Sequence, residues 1–158
     1  MTHRLTTTRL GPLLLAVDGA GALTGAWFVG QRHAPSQARL GRRDDTVAGD
    51  ALAQLNEYLV GSRTRFELTL APAGTDFQRR VWDALRAIRF GATRTYGDLA
   101  LELGSSPRAV GAAVGRNPIS IVIPCHRVVG SKGELTGYAG GIDRKDALLR
   151  LERGEPLF

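Results

Sequence analysis

Apolar positions change their spacing along this chain, and the changes mark out its elements. Leu13 to Val17 and Ala22 to Val29 are apolar runs separated by Asp18-Gly19-Ala20-Gly21. Two such runs around a turn of this chemistry predict a strand pair. Gln31 to Asp45 is polar, holds Pro35, Arg39, Arg42 and Arg43, and reads as a loop. From Val47 to Leu59 the residues Val47, Ala51, Leu52, Leu55 and Leu59 recur at helical spacing, and Gly61 follows as a stop. Phe66, Leu68 and Leu70 alternate as on a half-buried strand. Pro72-Ala73-Gly74 then breaks the pattern and predicts a boundary between an N-terminal lobe, residues 1–72, and a C-terminal one, residues 73–158.

The second part reads mostly helical, which makes the whole chain α+β. Thr75 can cap a helix, and Gln78 three residues later can complete a capping box. Phe77, Val81, Trp82, Leu85 and Ile88 form one apolar face, and Gly91 ends the element. A helix-turn-helix-like unit follows. Tyr96 to Leu103 is a short helix with Leu99, Ala100 and Leu103 inward, closed by Gly104. Ser106 caps a second helix with Pro107 at its first position, and Asn117-Pro118 stops it after Arg116. That helix is almost all Ala, Gly and Val, so its backbone can approach a neighbour closely. Tight helix packing would also explain its small residues. Arg108, however, sits in the first turn, where the macrodipole disfavours a cation. A charged first turn on so slim a helix points to a DNA-facing element, carried by Arg108, Ala109, Gly111, Ala112 and Gly115 and narrow enough for the minor groove. Ile119 to Ile123 reads as a β-branched strand leading into Pro124, and Gly130 to Gly141 as a Gly-rich loop holding Tyr138. Asp143 caps a last helix with Ala147, Leu148 and Leu151 inward and Gly154 as its stop.

Composition narrows the class. The chain has 158 residues, 43% of them hydrophobic, which suits one domain or two small lobes with a real core. Its net charge is +6, and only Lys132 and Lys145 are lysines. Arginine binds phosphate bidentately, so this balance favours a polyanionic partner, although arginine richness also occurs in proteins that bind no nucleic acid. The start, Met1 to Arg9, is polar and basic, and Leu13 to Val17 is too short for a signal core or a membrane span. One cysteine cannot form an internal disulfide, so the chain reads as intracellular. His3 and His33 are isolated, and no pair has metal-ligand spacing, so no metal is expected.

The lone cysteine carries the chemistry. Cys125 sits in Ile123-Pro124-Cys125-His126-Arg127-Val128, after an apolar run and beside an imidazole. A thiolate is the reactive form of cysteine, and a neighbouring base favours it. On an extended chain adjacent side chains point to opposite sides, so a water would have to carry the proton from Cys125 to His126. His126 then needs a carboxylate to fix its tautomer, as the third member of a triad does. Glu152 fits best, because it lies near the end of the last helix, where the dipole disfavours an anion. The bland alternative is an inert buried thiol beside a satisfied core histidine.

Pro124-Cys125-His126-Arg127-Val128 resembles the active-site signature of the methylated-DNA–protein-cysteine methyltransferases, which repair O6-alkylguanine. The resemblance extends, in order, over Thr75-Asp76-Phe77-Gln78, Val81-Trp82, Thr95-Tyr96-Gly97, Arg108-Ala109-Val110-Gly111, Asn117-Pro118 and Tyr138-Ala139-Gly140-Gly141, with Glu152 at the family's spacing. It spans roughly the C-terminal half; the N-terminal lobe is similar only in outline.

The resemblance implies an α+β protein with a ribonuclease H-like N-terminal lobe and a winged helix-turn-helix-like C-terminal domain. Cys125 would accept the alkyl group irreversibly, with water, His126 and Glu152 generating its thiolate. Tyr96 would hydrogen-bond the base. Arg108 would fill the place of a flipped nucleotide, which must leave the stack because its alkyl carbon is otherwise inaccessible. Asn117 would brace the active-site turn, the carbonyls of Cys125 and Val128 would accept from the guanine amino group, and Tyr138 and the Ala139 N–H would line the base pocket. It also implies action on O6 of guanine, and on O4 of thymine, in duplex DNA. No cofactor is implied, and the expected partner is double-stranded DNA carrying O6-alkylguanine. The protein would be a cytoplasmic monomer, nucleoid-associated and able to cluster when on DNA. Two other classes compete: a protein that binds lesions without chemistry, against which Cys125 argues, and a Cys-His hydrolase, for which Cys-His adjacency is awkward.

Overall fold

A computed structural model describes residues 1–157. The N-terminal lobe is built on a sheet of β1 (Thr2–Thr8), β2 (Gly11–Val17), β3 (Leu23–Phe28) and β4 (Arg42–Arg43), in the order β3-β2-β1-β4. The first three pair antiparallel, with Thr8 opposite Gly11 and Leu13 opposite Phe28, while β4 runs parallel to β1. The turn between β2 and β3 is the one the sequence predicts. Asp18 closes it, its carboxylate accepting from the N–H groups of Ala20 at 2.9 Å and Ala22 at 3.0 Å. β1 lies in the polar start, where no apolar run marks it. The span 31–45, read as a loop, holds the short helix α1 (Gln37–Leu40) as well as β4. α2 (Gly49–Leu59) buries Ala51, Leu55 and Leu59 in the core, as its spacing predicts, and Tyr58 as well, which the spacing did not single out; Leu52 is half-buried.

The C-terminal part is α3 (Asp76–Arg86), the two-residue strand β5 (Arg94–Thr95), α4 (Tyr96–Leu103), α5 (Pro107–Gly115), β6 (Val128–Val129) and α6 (Ile142–Glu152). Local chemistry sets these helices. Thr75 and Gln78 form a full capping box, Thr95 and Asp98 form a second, and Ser106 caps α5 with Pro107 at its first position. Gly104 ends α4 at φ 63°, ψ 40°, a left-handed conformation costly for other residues. Trp82 of α3 is 2% exposed, and its indole N–H donates to Ala113 O of α5 at 2.9 Å. Burying such a side chain is worth ~1.5–3 kcal/mol and here fixes the pitch of α5. α6 begins after Gly141 rather than at a side-chain cap, with Asp143 inside its first turn.

Two expected strands are absent. Phe66 to Leu70 makes only a bridge from Leu70 to Leu23. Ile119 to Ile123 is a chain of turns: Ile121 has φ 72°, and Asn117 brackets the segment by donating to Ile123 O at 2.8 Å and accepting from Ile119 N–H at 3.0 Å. These segments instead cover the outer edge of β3. Leu23 exchanges backbone hydrogen bonds with Thr69 and Ala71, and Ala26 with Pro118 and Ser120. An otherwise open edge is thereby closed by both lobes, and one apolar core runs from β2 and β3 through Tyr58 and Trp82 to Cys125 and Leu148.

Candidate active site

Cys125 to Arg127 form a single 3₁₀ turn, not the extended exit the sequence suggested. The turn follows from Pro124 and from Asn117, which is 4% exposed and ties the preceding residues. Cys125, His126 and Arg127 are all buried. Cys125 lies at the floor of a cavity of about 200 Å³ whose wall includes Tyr96, Tyr138, Ala139, Gly111, Ala112 and Gly115.

Behind the cysteine is a closed polar network centred on Glu152. Its Oε2 accepts from His126 Nε2 at 2.7 Å, from Tyr58 Oη at 2.5 Å and from Arg127 Nη2 at 2.9 Å. Its Oε1 accepts from Arg127 Nε at 2.8 Å and from Gly91 N–H at 3.3 Å. Arg127 also donates to Ile88 O at 2.6 Å. Burial pushes the Glu152 carboxyl up, but the hydrogen bonds from His126, Arg127 and Tyr58 outweigh it and hold the group at about 2. Burial lowers His126 below its ordinary value, more than Glu152 raises it. The ring is therefore neutral and the carboxylate an acceptor only, which puts the single ring proton on Nε2. Nδ1 is left as the basic nitrogen, and it is buried with no hydrogen-bond partner among the described residues. Burial also pushes the Cys125 thiol up, against opposing pulls from Asn117 and the Lys145 charge. The resting pair is thus thiol and imidazole, both neutral, over a fixed anion.

Models of two families of domain match this chain: the ribonuclease-like domain of 6-O-methylguanine DNA methyltransferase over residues 1–72, and the DNA binding domain of the same protein over residues 76–154. The chain belongs to the 6-O-methylguanine DNA methyltransferase family. A methylated-DNA–protein-cysteine methyltransferase of Mycobacterium tuberculosis is 46% identical over 153 residues, covering 96% of this chain and 92% of that protein. One of Methanosarcina acetivorans is 42% identical, covering 96% and 98%. Among solved structures, that of the M. tuberculosis protein OGT in complex with DNA has a TM-score of 0.92 at 45% identity, over 99% of this chain and 96% of the other. This membership makes the chain an enzyme of DNA repair by alkyl transfer to a protein cysteine.

Within that family frame, the fold brings most of the candidate residues to one place. Cys125, Tyr96, Tyr138 and Ala139 line the cavity together with Gly111, Ala112 and Gly115 of α5. Tyr96 Oη donates to Thr136 O at 3.1 Å, and burial raises its pKa, so the phenol stays protonated. Tyr138 Oη is buried without a partner among the described residues. Asn117 and Val128 are not in the cavity wall. Asn117 braces the turn from behind, and the Val128 carbonyl accepts from Lys145 Nζ at 2.5 Å. Arg108, exposed, and Ala109, half-buried, sit in the first turn of α5, outside the cavity wall.

Three residues of this site escaped the sequence reading. Tyr58 comes from α2 in the other lobe, and no local signal could mark it. Arg127 was visible only as part of the Cys125 motif. Lys145 is 0% exposed, with Nζ donating to the carbonyls of Val128, Thr136 at 3.0 Å and Gly137 at 3.3 Å, and burial lowers its pKa to about 8. Its place was readable: Lys145, Leu148, Leu149 and Glu152 stand at i, i+3, i+4 and i+7, the inward face of α6.

Proposed function

We propose that this protein takes the alkyl group from O6 of guanine in duplex DNA, and from O4 of thymine, onto Sγ of Cys125, once per molecule. The observation that carries the reading is the only thiol of the chain on a cavity floor, beside an imidazole whose free nitrogen is the one Glu152 leaves basic. The thiol proton passes through a water to His126 Nδ1, and Glu152 stabilises the imidazolium that forms. Sγ attacks the alkyl carbon in line, the S–C bond forms as the C–O6 bond breaks, and the electron pair stays on the base. Tyr96 turns its hydroxyl away from Thr136 O and donates its one hydrogen bond to the departing base. The proton taken from the thiol ends on the guanine, which leaves neutral. The thioether has no route back, so the reaction stops after one turnover.

Recognition follows from the same parts. The base reaches Cys125 only when flipped out of the stack. In our reading α5 lies in the minor groove, with Ala109, Gly111, Ala112 and Gly115 against the backbone, and Arg108 fills the space the nucleotide leaves. The carbonyl of Cys125 accepts from the guanine amino group, joined by the second lone pair of the Val128 carbonyl once the base reaches past the cavity wall to it, and Tyr138 and the Ala139 N–H border the base. The division of labour falls at residues 72 and 73, the second part holding the thiol and the DNA-facing helix. The protein acts as a cytoplasmic monomer that gathers on damaged DNA. Cys125→Ser tests the reading: it should bind an O6-methylguanine duplex like the parent and transfer nothing, and transfer surviving in that variant would refute it.

A further inference from the structure

Two side chains at the mouth of the Cys125 cavity come from the N-terminal lobe. Arg32 and His33 follow β3 and line the same cavity as Gly111, Ala112 and Gly115 of α5. Both are exposed while Cys125 is buried, so they form the rim and the cysteine the floor. Arg116, exposed, ends α5 directly after Gly115 of the cavity wall, and the pKa of His33 is lowered by burial and then by the charges of Arg116 and Arg32. Among the described residues no carboxylate lines the cavity. Among the described residues neither Arg32 nor Arg116 makes an ion pair.

This rim is held in place from both lobes. Arg32 N–H donates to Ala139 O of the pocket loop at 3.3 Å, and Gln31 Oε1 accepts from Phe28 N–H at 2.7 Å. His33 sits at φ 61°, a left-handed conformation that a non-glycine residue adopts only where its surroundings require it. Arg144 of α6 lies over the Phe28 ring, 4.2 Å from its centroid, while donating to Leu10 O at 2.8 Å and Gly140 O at 2.9 Å. The turn carrying Arg32 is thus fixed against the loop that borders the base.

A nucleotide whose base reaches the cavity floor leaves its sugar and phosphates at the rim. Arginines at a rim with no counter-anion among the described residues are suited to bind one of those phosphates. We propose that the N-terminal lobe takes part in lesion recognition: Arg32, with Arg116 beside it, holds a backbone phosphate of the nucleotide whose base enters the cavity, and His33 walls the same opening. This rests on the alkyl-transfer reading above and adds to it a DNA contact from outside the helix-turn-helix unit.

The test compares one substrate that has phosphates with one that has none. Arg32→Ala and Arg32→Lys are reacted with a duplex bearing O6-methylguanine, at several salt concentrations, and with the free base O6-benzylguanine. Arg32→Ala should lose at least fivefold more rate on the duplex than on the free base. Its salt dependence on DNA should weaken by a slope of about 1, the signature of one lost phosphate contact. Arg32→Lys should recover most of the duplex rate. Equal losses on both substrates, or an unchanged duplex rate and salt slope, would overturn the proposal. Failure of the underlying reading shows itself separately, as a parent protein that alkylates Cys125 with neither substrate, and the proposal falls with it.

Discussion

Replacing Glu152 by Gln exchanges the anion at the centre of the buried network for a neutral amide of nearly the same shape. The Glu152 side chain is 1% exposed, and it pairs with Arg127, 8% exposed, and His126, fully buried. The amide cannot balance the guanidinium, so Arg127 becomes a buried, uncompensated cation, and removing one partner of such a pair costs ~3–5 kcal/mol. Protonation gives a second figure. The carboxyl falls from 4.5 to about 2 on folding; at ~1.36 kcal/mol per unit this is about 3 kcal/mol in favour of the native anion. Both figures have the same sign, and the ion-pair cost sets the expected size. For a chain of this length, ~2–4 °C per kcal/mol makes the expected fall in Tm about 6–20 °C. The imidazolium formed during transfer also loses its counter-ion, which should cost ~10²–10⁴ in the transfer rate. Urea unfolding and single-turnover transfer from an O6-methylguanine duplex measure the two effects. A loss under ~1 kcal/mol with less than a tenfold rate change would mean that the ion pair is not a desolvated one. Pairing the change with Arg127→Met supplies a control. The double variant should lose less than the sum of the singles, since the uncompensated charge has gone.

Three other expectations follow from the same geometry. Glu152 has a lowered pKa in the fold, so its stabilisation is complete above about pH 4.5 and lost towards pH 2; His126, lowered from 6.5 by burial, adds a loss of the same sign below pH 6.5. The urea midpoint should therefore fall on acidification below pH 6.5 and more steeply below 4.5, and a rise would contradict the assignment. Lys145→Met strips the donor from the Val128, Thr136 and Gly137 carbonyls, which should cost ~1–3 kcal/mol and speed amide exchange across residues 130–141 while leaving α3 protected; unchanged exchange in that loop would count against its being pinned by Lys145. Gly140→Ala places a Cβ 2.7 Å from the Tyr138 ring and 2.9 Å from the Phe28 ring. It should cost ~1–3 kcal/mol by overpacking and slow transfer, and an unchanged Tm would show that the two lobes are not packed tightly across this loop.

How much could be read in the chain depended on the range of the forces involved. Helix starts were legible because capping is local: Thr75 with Gln78, and Ser106 with Pro107, act within one turn. The hairpin of β2 and β3 was legible because Asp18 closes its turn within four residues. The run Ile119 to Ile123 reads as a strand but is not one, because β-branching there records burial, while the backbone is bent by Asn117 and accommodates Ile121 at positive φ. Phe66, Leu68 and Leu70 alternate because one side faces the core, yet the partner that would make a strand contributes one bridge. β1 was invisible because its pattern is set by β2 and β4 on either side, not by an apolar run of its own. In the site, Cys125, His126 and Glu152 could be proposed from chemistry and from the position of Glu152 on α6. Tyr58 could not, since its hydroxyl meets Glu152 only through packing of one lobe on the other across 94 positions of sequence.

The proposed function comes down to a single covalent event at Cys125. The direct measurement is the intact mass of the protein after incubation with excess duplex carrying O6-methylguanine, followed by peptide mapping. One added methyl group per chain is expected, located on Cys125, with no further increase however long the incubation. An unchanged mass while the protein still binds the duplex, or continued release of product from a fixed amount of protein, would contradict it.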